Sequence, residues 1–194
     1  IKQQRQAVDF KTSIKDYIVR ITYKTAALTS LSCFAGAYTA KLSADKIRLL
    51  VKMGQDFGKA YQIRDDIFDF LGDEQHLKKP SSDLIQGTVT LPMILLFKMT
   101  KTKNPHALFS YMKNGTLSDD LTHCLPANNQ ICVSQLKKVA VNKAAQYCNR
   151  LLTRCIKYLG SFPPSDIKQN LVQTIDKIYI NTWIPLKNLE CVVK

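Results

Sequence analysis

Gln62, Asp65, Asp66, Asp69 and Asp73 stand at i, i+3, i+4, i+7 and i+11 of one short stretch. On a helix those offsets make a single polar stripe, with Asp65 and Asp69 stacked a turn apart. Like charges at that spacing destabilise an isolated helix by about 0.2–0.5 kcal/mol per pair. No lysine interleaves the stripe, so the aspartates want a counter-ion. Oxygen-only donors select a hard cation, Mg2+ or Mn2+. Mg2+ is typically held by one or two carboxylates, with waters and substrate phosphates completing its shell. The stripe therefore suggests a Mg2+–diphosphate site inside a helix bundle. On spacing alone a solvated acidic helix end reads as well, with Arg64 beside it neutralising part of the charge without metal.

Two further segments point to an anionic ligand. Lys24-Thr25 opens the otherwise apolar stretch Thr25-Ala26-Ala27-Leu28. A lysine and a hydroxyl facing a bundle interior need an anion to satisfy them; a lysine snorkelling to the surface is the plainer alternative. Lys78-Lys79-Pro80 begins a basic loop that leads through Gly87 and Thr90 to a helix start at Leu91-Pro92. Basic loops and helix N-termini both favour phosphate, although most such loops are merely solvated.

The elements that would position these residues are helical throughout. Ser13 is a plausible N-cap for a helix running to about Leu42, and Ser43 for the next, to Leu71 before Gly72. A polar loop is expected over 73–86, a short apolar helix over 90–101 with Pro92 in its first turn, and another over 105–113. Residues 117–129 read as irregular. A long amphipathic helix is expected over 131–159, closed by Gly160 and Pro163-Pro164, and a last one over 165–181. Only 7 of the 194 residues are glycine, about half the usual share of roughly 7%, which favours long helices over a many-turned β sandwich. No segment alternates as a strand for long, and there are no internal repeats. The expectation is one all-α domain spanning 1–194.

Composition narrows the partners. With 28 Lys+Arg against 15 Asp+Glu the net charge is +13, which suits nucleic acid, an acidic membrane surface or a polyanionic small molecule. The basic residues are spread, with no run longer than two, whereas nucleic-acid binders concentrate charge in a stripe; no nucleic-acid partner is expected. The longest strongly apolar run, Leu91–Phe97, is far short of the roughly 18–20 residues that span a bilayer. Ile1–Lys15 is polar and basic, unlike a signal peptide. The six cysteines form no CxxC pair and no metal-ligand spacing, so they read as buried or incidental thiols of a reducing cytoplasm. Cys148 and Cys155, seven apart, should share one helix face in the core.

Taken in order, these segments resemble the trans-prenyl diphosphate synthases (polyprenyl synthetases). The second aspartate-rich motif of that family appears as Tyr61-Gln62-Ile63-Arg64-Asp65-Asp66-Ile67-Phe68-Asp69, with Gly72-Asp73 after it. The Lys-Thr pair a helix upstream matches Lys24 and Thr25. The Lys-Pro…Asp-Leu…Gly-x-x-Thr-Leu-Pro loop matches Lys79, Pro80, Asp83, Leu84, Gly87, Thr90, Leu91 and Pro92. The resemblance implies the C-terminal portion of an all-helical isoprenoid synthase bundle. It implies condensation of isopentenyl diphosphate with an allylic diphosphate to a trans-polyprenyl diphosphate. By the same resemblance Asp65, Asp66 and Asp69 serve Mg2+, Lys24 and Lys79 bind diphosphate, and Thr25 and Gln62 line the site near the reacting carbons. A homodimer or heterodimer is implied, and a peripheral membrane contact at product release is compatible with it.

The chain also departs from the family pattern. The first aspartate-rich motif, its following arginine pair and the Gly-Lys-x-x-Arg segment are not in this sequence. The position after Gly87, often lysine, is Thr88; a neutral residue there leans toward medium or long products. Asn181-Thr182-Trp183 stands where the family often has arginine or lysine. Two functions follow as expectations: the C-terminal portion of an active synthase, or a non-catalytic subunit that binds and regulates a catalytic partner. A self-repelling aspartate triad beside Lys24-Thr25 favours the first.

Overall fold

The computed structural model describes residues 8–71, 82–100, 104–114 and 129–180, and among them every regular element is a helix. In chain order these are α1 (Ile14–Ile21), a π-helical turn (Thr22–Ala26), α2 (Ala27–Thr39), α3 (Ala44–Leu71), α4 (Ser82–Gln86), α5 (Leu91–Thr100), α6 (Pro105–Asn114), α7 (Asn129–Gly160) and α8 (Asp166–Asp176). The single helix expected from Ser13 to Leu42 is thus α1 and α2 joined through the π turn. It ends at Thr39, because Lys41 takes a left-handed φ of 53° that no helix can continue. The loop expected over 73–86 is helical where it is described, as α4; its first part, and the irregular stretch expected over 117–129, lie largely outside the described residues. Helix α8 begins where Ser165 accepts the Lys168 N–H at 3.2 Å, just after Pro163-Pro164.

The chain divides into two compact units, with the cuts falling inside α3, between Asp65 and Asp66, and inside α7, between Ala144 and Ala145. The first unit holds Lys15–Asp65 and Ala145–Asn181. Its core is Tyr17, Ile21, Met53, Ile63, Leu152 and Leu159, all buried. Cys148 and Cys155 are fully buried there, on the shared face their spacing implies. The second unit holds the described residues up to Ile14 and those from Asp66 to Ala144. In its helix α5 all six residues from Leu91 to Leu96 are buried, as befits a helix apolar on every side.

In the first unit α2 and α3 approach closely because both present small residues. A side chain at Gly54 would lie 2.6 Å from the Thr29 carbonyl oxygen and 2.7 Å from Cys33 Sγ. One at Gly58 would lie 2.6 Å from Ala26 Cα and clash with the Thr29 hydroxyl. The approach lets Thr29 Oγ1 donate to the Gly54 carbonyl at 2.7 Å and Ser30 Oγ to Val51 at 3.2 Å. The large apolar residues of α2 lie on its opposite side, where Leu28, Leu31 and Tyr38 are 71%, 61% and 68% exposed.

Candidate functional site

The π turn carries Lys24 and Thr25. Thr22 Oγ1 donates to the Ile18 carbonyl at 2.6 Å, and the Ala27 N–H bonds to Thr22 O, five residues back. One widened turn shifts the register of everything on it, and such turns cluster at functional sites. Here Thr25 Oγ1 donates to Gln62 Oε1 at 2.7 Å. Thr25 is half-buried, Gln62 is buried and Lys24 is exposed. The pair therefore splits: the hydroxyl turns inward to α3, and the ammonium reaches solvent instead of a bundle interior. Nothing in the local sequence signals the extra residue in the turn.

Helix α3 presents the aspartates at the expected spacing. Asp65 is exposed, Asp66 is buried and Asp69 is half-buried. Asp69 already has donors: its Oδ1 accepts the Ser82 N–H at 3.1 Å and the Ser82 hydroxyl at 3.0 Å, and its Oδ2 accepts the Asp83 N–H at 3.0 Å. A carboxylate thus caps the first turn of α4, where unsatisfied N–H groups gather. That helix closes at Gly87, whose φ of 74° glycine adopts readily, and the Thr88 N–H returns to the Asp83 carbonyl at 2.9 Å. Thr88 is half-buried and Thr90 buried. Lys79, Gly72, Asp73 and Asn181–Trp183 lie outside the described residues.

The donor set fits Mg2+ in chemistry, since it is all oxygen. Among the described residues no group of three or more His, Cys, Asp or Glu converges to hold a metal ion. Two aspartates a turn apart, completed by waters and a substrate diphosphate, is the arrangement Mg2+ prefers to an all-protein cage.

Residues the sequence reading passed over support the upstream end of α3. Asp56 is buried and takes a two-pronged ion pair from Arg154 on α7, Nε to Oδ2 at 2.8 Å and Nη2 to Oδ1 at 2.6 Å. The Cys148 thiol donates to the Ala60 carbonyl at 3.3 Å, and Cys155 to Met53 at 3.5 Å. Burial pushes both thiols up to about 12; the Arg64 charge opposes the shift at Cys148, and the Asp56 carboxylate adds to it at Cys155. Asp56 stands among Gln55, Gly58 and Lys59 in the sequence, a polar setting that does not mark it for burial. Its partner lies 98 residues away in sequence, beyond the reach of any local pattern.

Comparison with known proteins follows the same lines. A family description, polyprenyl synthetase, matches residues 1–128. The chain is 38% identical over 170 residues to heptaprenyl diphosphate synthase component 2 of Geobacillus stearothermophilus, covering 87% of this chain and 50% of that protein. It is 30% identical over 167 residues to the mitochondrial solanesyl-diphosphate synthase 1 of Oryza sativa subsp. japonica, covering 85% of this chain and 35% of the relative. The solved structure of geranylgeranyl pyrophosphate synthase from Lactobacillus brevis superposes with a TM-score of 0.70 at 28% identity, over 89% of this chain and 51% of the other. The chain spans about half the length, or less, of the curated relatives it matches.

Proposed function

This chain belongs to the polyprenyl synthetase family, and on that premise we propose that it is part of a prenyltransferase. The reaction is condensation of isopentenyl diphosphate with an allylic diphosphate to a trans-polyprenyl diphosphate of medium or long chain. The observation that carries this reading is the 2.7 Å hydrogen bond from Thr25 to Gln62. It joins the Lys-Thr segment to α3 one turn before Asp65, so two of the three family-like segments meet at one place. The relatives named heptaprenyl and solanesyl synthases support the product length.

Each residue then has a task set by its chemistry. Mg2+, when bound, stabilises the negative charge that gathers on the departing diphosphate. Asp65 and Asp66, with Asp69, would hold it. Lys24, exposed on the π turn, supplies a cation for the allylic diphosphate, and Lys79 is the family-like position that would supply another. The allylic carbon–oxygen bond breaks with its electron pair going to diphosphate. The isopentenyl double bond supplies the pair for the new carbon–carbon bond, and a proton is lost. Thr25 fixes the orientation of the Gln62 amide, so that its dipole is set before charge develops beside it.

The exposed Leu28, Leu31 and Tyr38 of α2 favour a partner segment over that face, supplied by the remainder of the domain or by another subunit. A relative named as a component 2 is consistent with an enzyme of more than one chain. The purified 194-residue chain alone is therefore expected not to turn over. The experiment is a set of thermal melts of wild type and Asp65→Asn, with and without Mg2+ and inorganic diphosphate. Wild type gains about 2.7 kcal/mol at 100 times the dissociation constant. Asp65→Asn loses most of that gain, while its stability without ligands is equal or higher by about 0.2–0.5 kcal/mol. No gain in either protein rejects the metal reading in favour of a solvated acidic helix end.

A further inference from the structure

We propose that Asp69 is a latch that holds the segment beginning at Ser82 against the end of α3, and that Mg2+ with diphosphate competes with the latch for its carboxylate. The inference rests on the aspartate stripe being a metal site, and adds a regulation of that site.

All of the geometry lies within one compact unit. Both Asp69 oxygens accept hydrogen bonds, from Ser82 N at 3.1 Å, Ser82 Oγ at 3.0 Å and Asp83 N at 3.0 Å. The two residues are 13 positions apart, so the contact ties α4 to α3 and is more than a local turn. Charge-assisted bonds of this kind are the stronger ones. Downstream, the segment is internally closed by Gly87 N to Leu84 O at 3.3 Å and Thr88 N to Asp83 O at 2.9 Å. The Asp69 contact thus sets where α4 starts, and the Gly87 turn carries that position on to the buried Thr90 and Leu91.

A cation approaching the same carboxylate meets the positive ends of three donors. It also demands near-octahedral geometry of its ligands. Holding the donors and serving the cation therefore draw on the same two oxygens with opposite sign. Because the latched and cation-bound states compete, whatever weakens the latch strengthens cation binding by up to the same factor. A side chain with a purely structural role would do the reverse: removing one of its hydrogen bonds would loosen the fold and weaken binding.

Ser82→Ala removes the hydroxyl donor to Asp69 and leaves the Ser82 and Asp83 backbone N–H groups in place. The expected result is that the 194-residue chain carrying Ser82→Ala binds Mg2+ with inorganic diphosphate about three- to ten-fold more tightly, the factor that corresponds to one hydrogen bond. Affinity is read by titration calorimetry. In wild type, amide hydrogen exchange at Ser82 and Asp83 should quicken when Mg2+ and diphosphate are added, while Thr88, bonded within its own segment, stays protected. Binding with unchanged or slower exchange at Ser82 and Asp83 overturns the latch and leaves the metal site standing. Weaker binding by Ser82→Ala also overturns it. No binding of Mg2+ and diphosphate by wild type overturns both the metal reading and the latch.

Discussion

The two ends of α3 are built on different principles. From Val51 to Ile63 the helix is closed on several sides. Gly54 and Gly58 admit the backbone of the neighbouring helix, Asp56 is clamped by Arg154, and two buried thiols bond its carbonyls. From Asp65 to Leu71 it carries an exposed Asp65, a buried Asp66 and a half-buried Asp69, with Phe68 exposed beside them. The first stretch spends its polar groups on neighbouring helices; the second keeps the Asp65 and Asp69 carboxylates where a ligand or a loop can reach them. Precise placement of a functional group requires support whose own rotamers are locked. The upstream end of α3 has that support, and the downstream end has the chemistry.

The largest disturbance of this contrast should come from Arg154→Met. It strands the Asp56 carboxylate, which is 6% exposed, without a countercharge. A fully buried pair would cost roughly 3–5 kcal/mol on losing one partner. Arg154 is 55% exposed, so a loss nearer 2 kcal/mol by that scale is expected in denaturant unfolding. Arg154→Lys should recover only part of it, since an ammonium cannot make the two-pronged contact. A loss under half a kcal/mol, the range of ordinary surface substitutions, would mean the upstream end does not depend on this clamp.

Next comes Gly58→Ala. Its methyl group would sit 2.6 Å from Ala26 Cα, a backbone atom that cannot rotate away, and overpacking of this kind costs about 1–3 kcal/mol. The same displacement should lengthen the Thr25–Gln62 bond next to it, so that Mg2+ and diphosphate bind less well even where the protein is still folded. Unfolding midpoints and ligand titration on the same sample check both halves. Unimpaired stability would show that α2 and α3 are not held at the close approach described.

The smallest effect concerns pH. The folded Cys148 and Cys155 are pushed up to about 12 from an ordinary value of 9.0. A thiol that keeps its proton in the folded state but releases it in the unfolded one contributes stability below pH 9, lost as pH rises toward 12. Alkaline unfolding should therefore be blunted in Cys148→Ala and Cys155→Ala, measured as the slope of stability against pH above 9. Neither thiol should react with a thiol-specific reagent at pH 8 in the folded chain, which confines labelling to other cysteines. Reaction of either at a rate like that of the unfolded chain would show that the closed end of α3 opens readily.

What the sequence by itself determined is the local and periodic part. The boundaries of α3 follow from Ser43 and Gly72, the apolar α5 with Pro92 in its first turn from one contiguous apolar run, and the shared face of Cys148 and Cys155 and the aspartate stripe from spacings of three, four and seven on one helix. The family resemblance was legible for the same reason, since its motifs are short runs of contiguous residues. Tertiary structure alone decided which of these residues meet. Thr25, on the π turn, meets Gln62, 37 positions on, while Lys24 beside it faces solvent. Asp56 finds Arg154 across 98 positions, and Asp69 is engaged by Ser82 and Asp83 across 13 and 14. Helical periodicity says which side of a helix a residue occupies; what covers that side depends on how distant segments close on one another, and no local pattern encodes it.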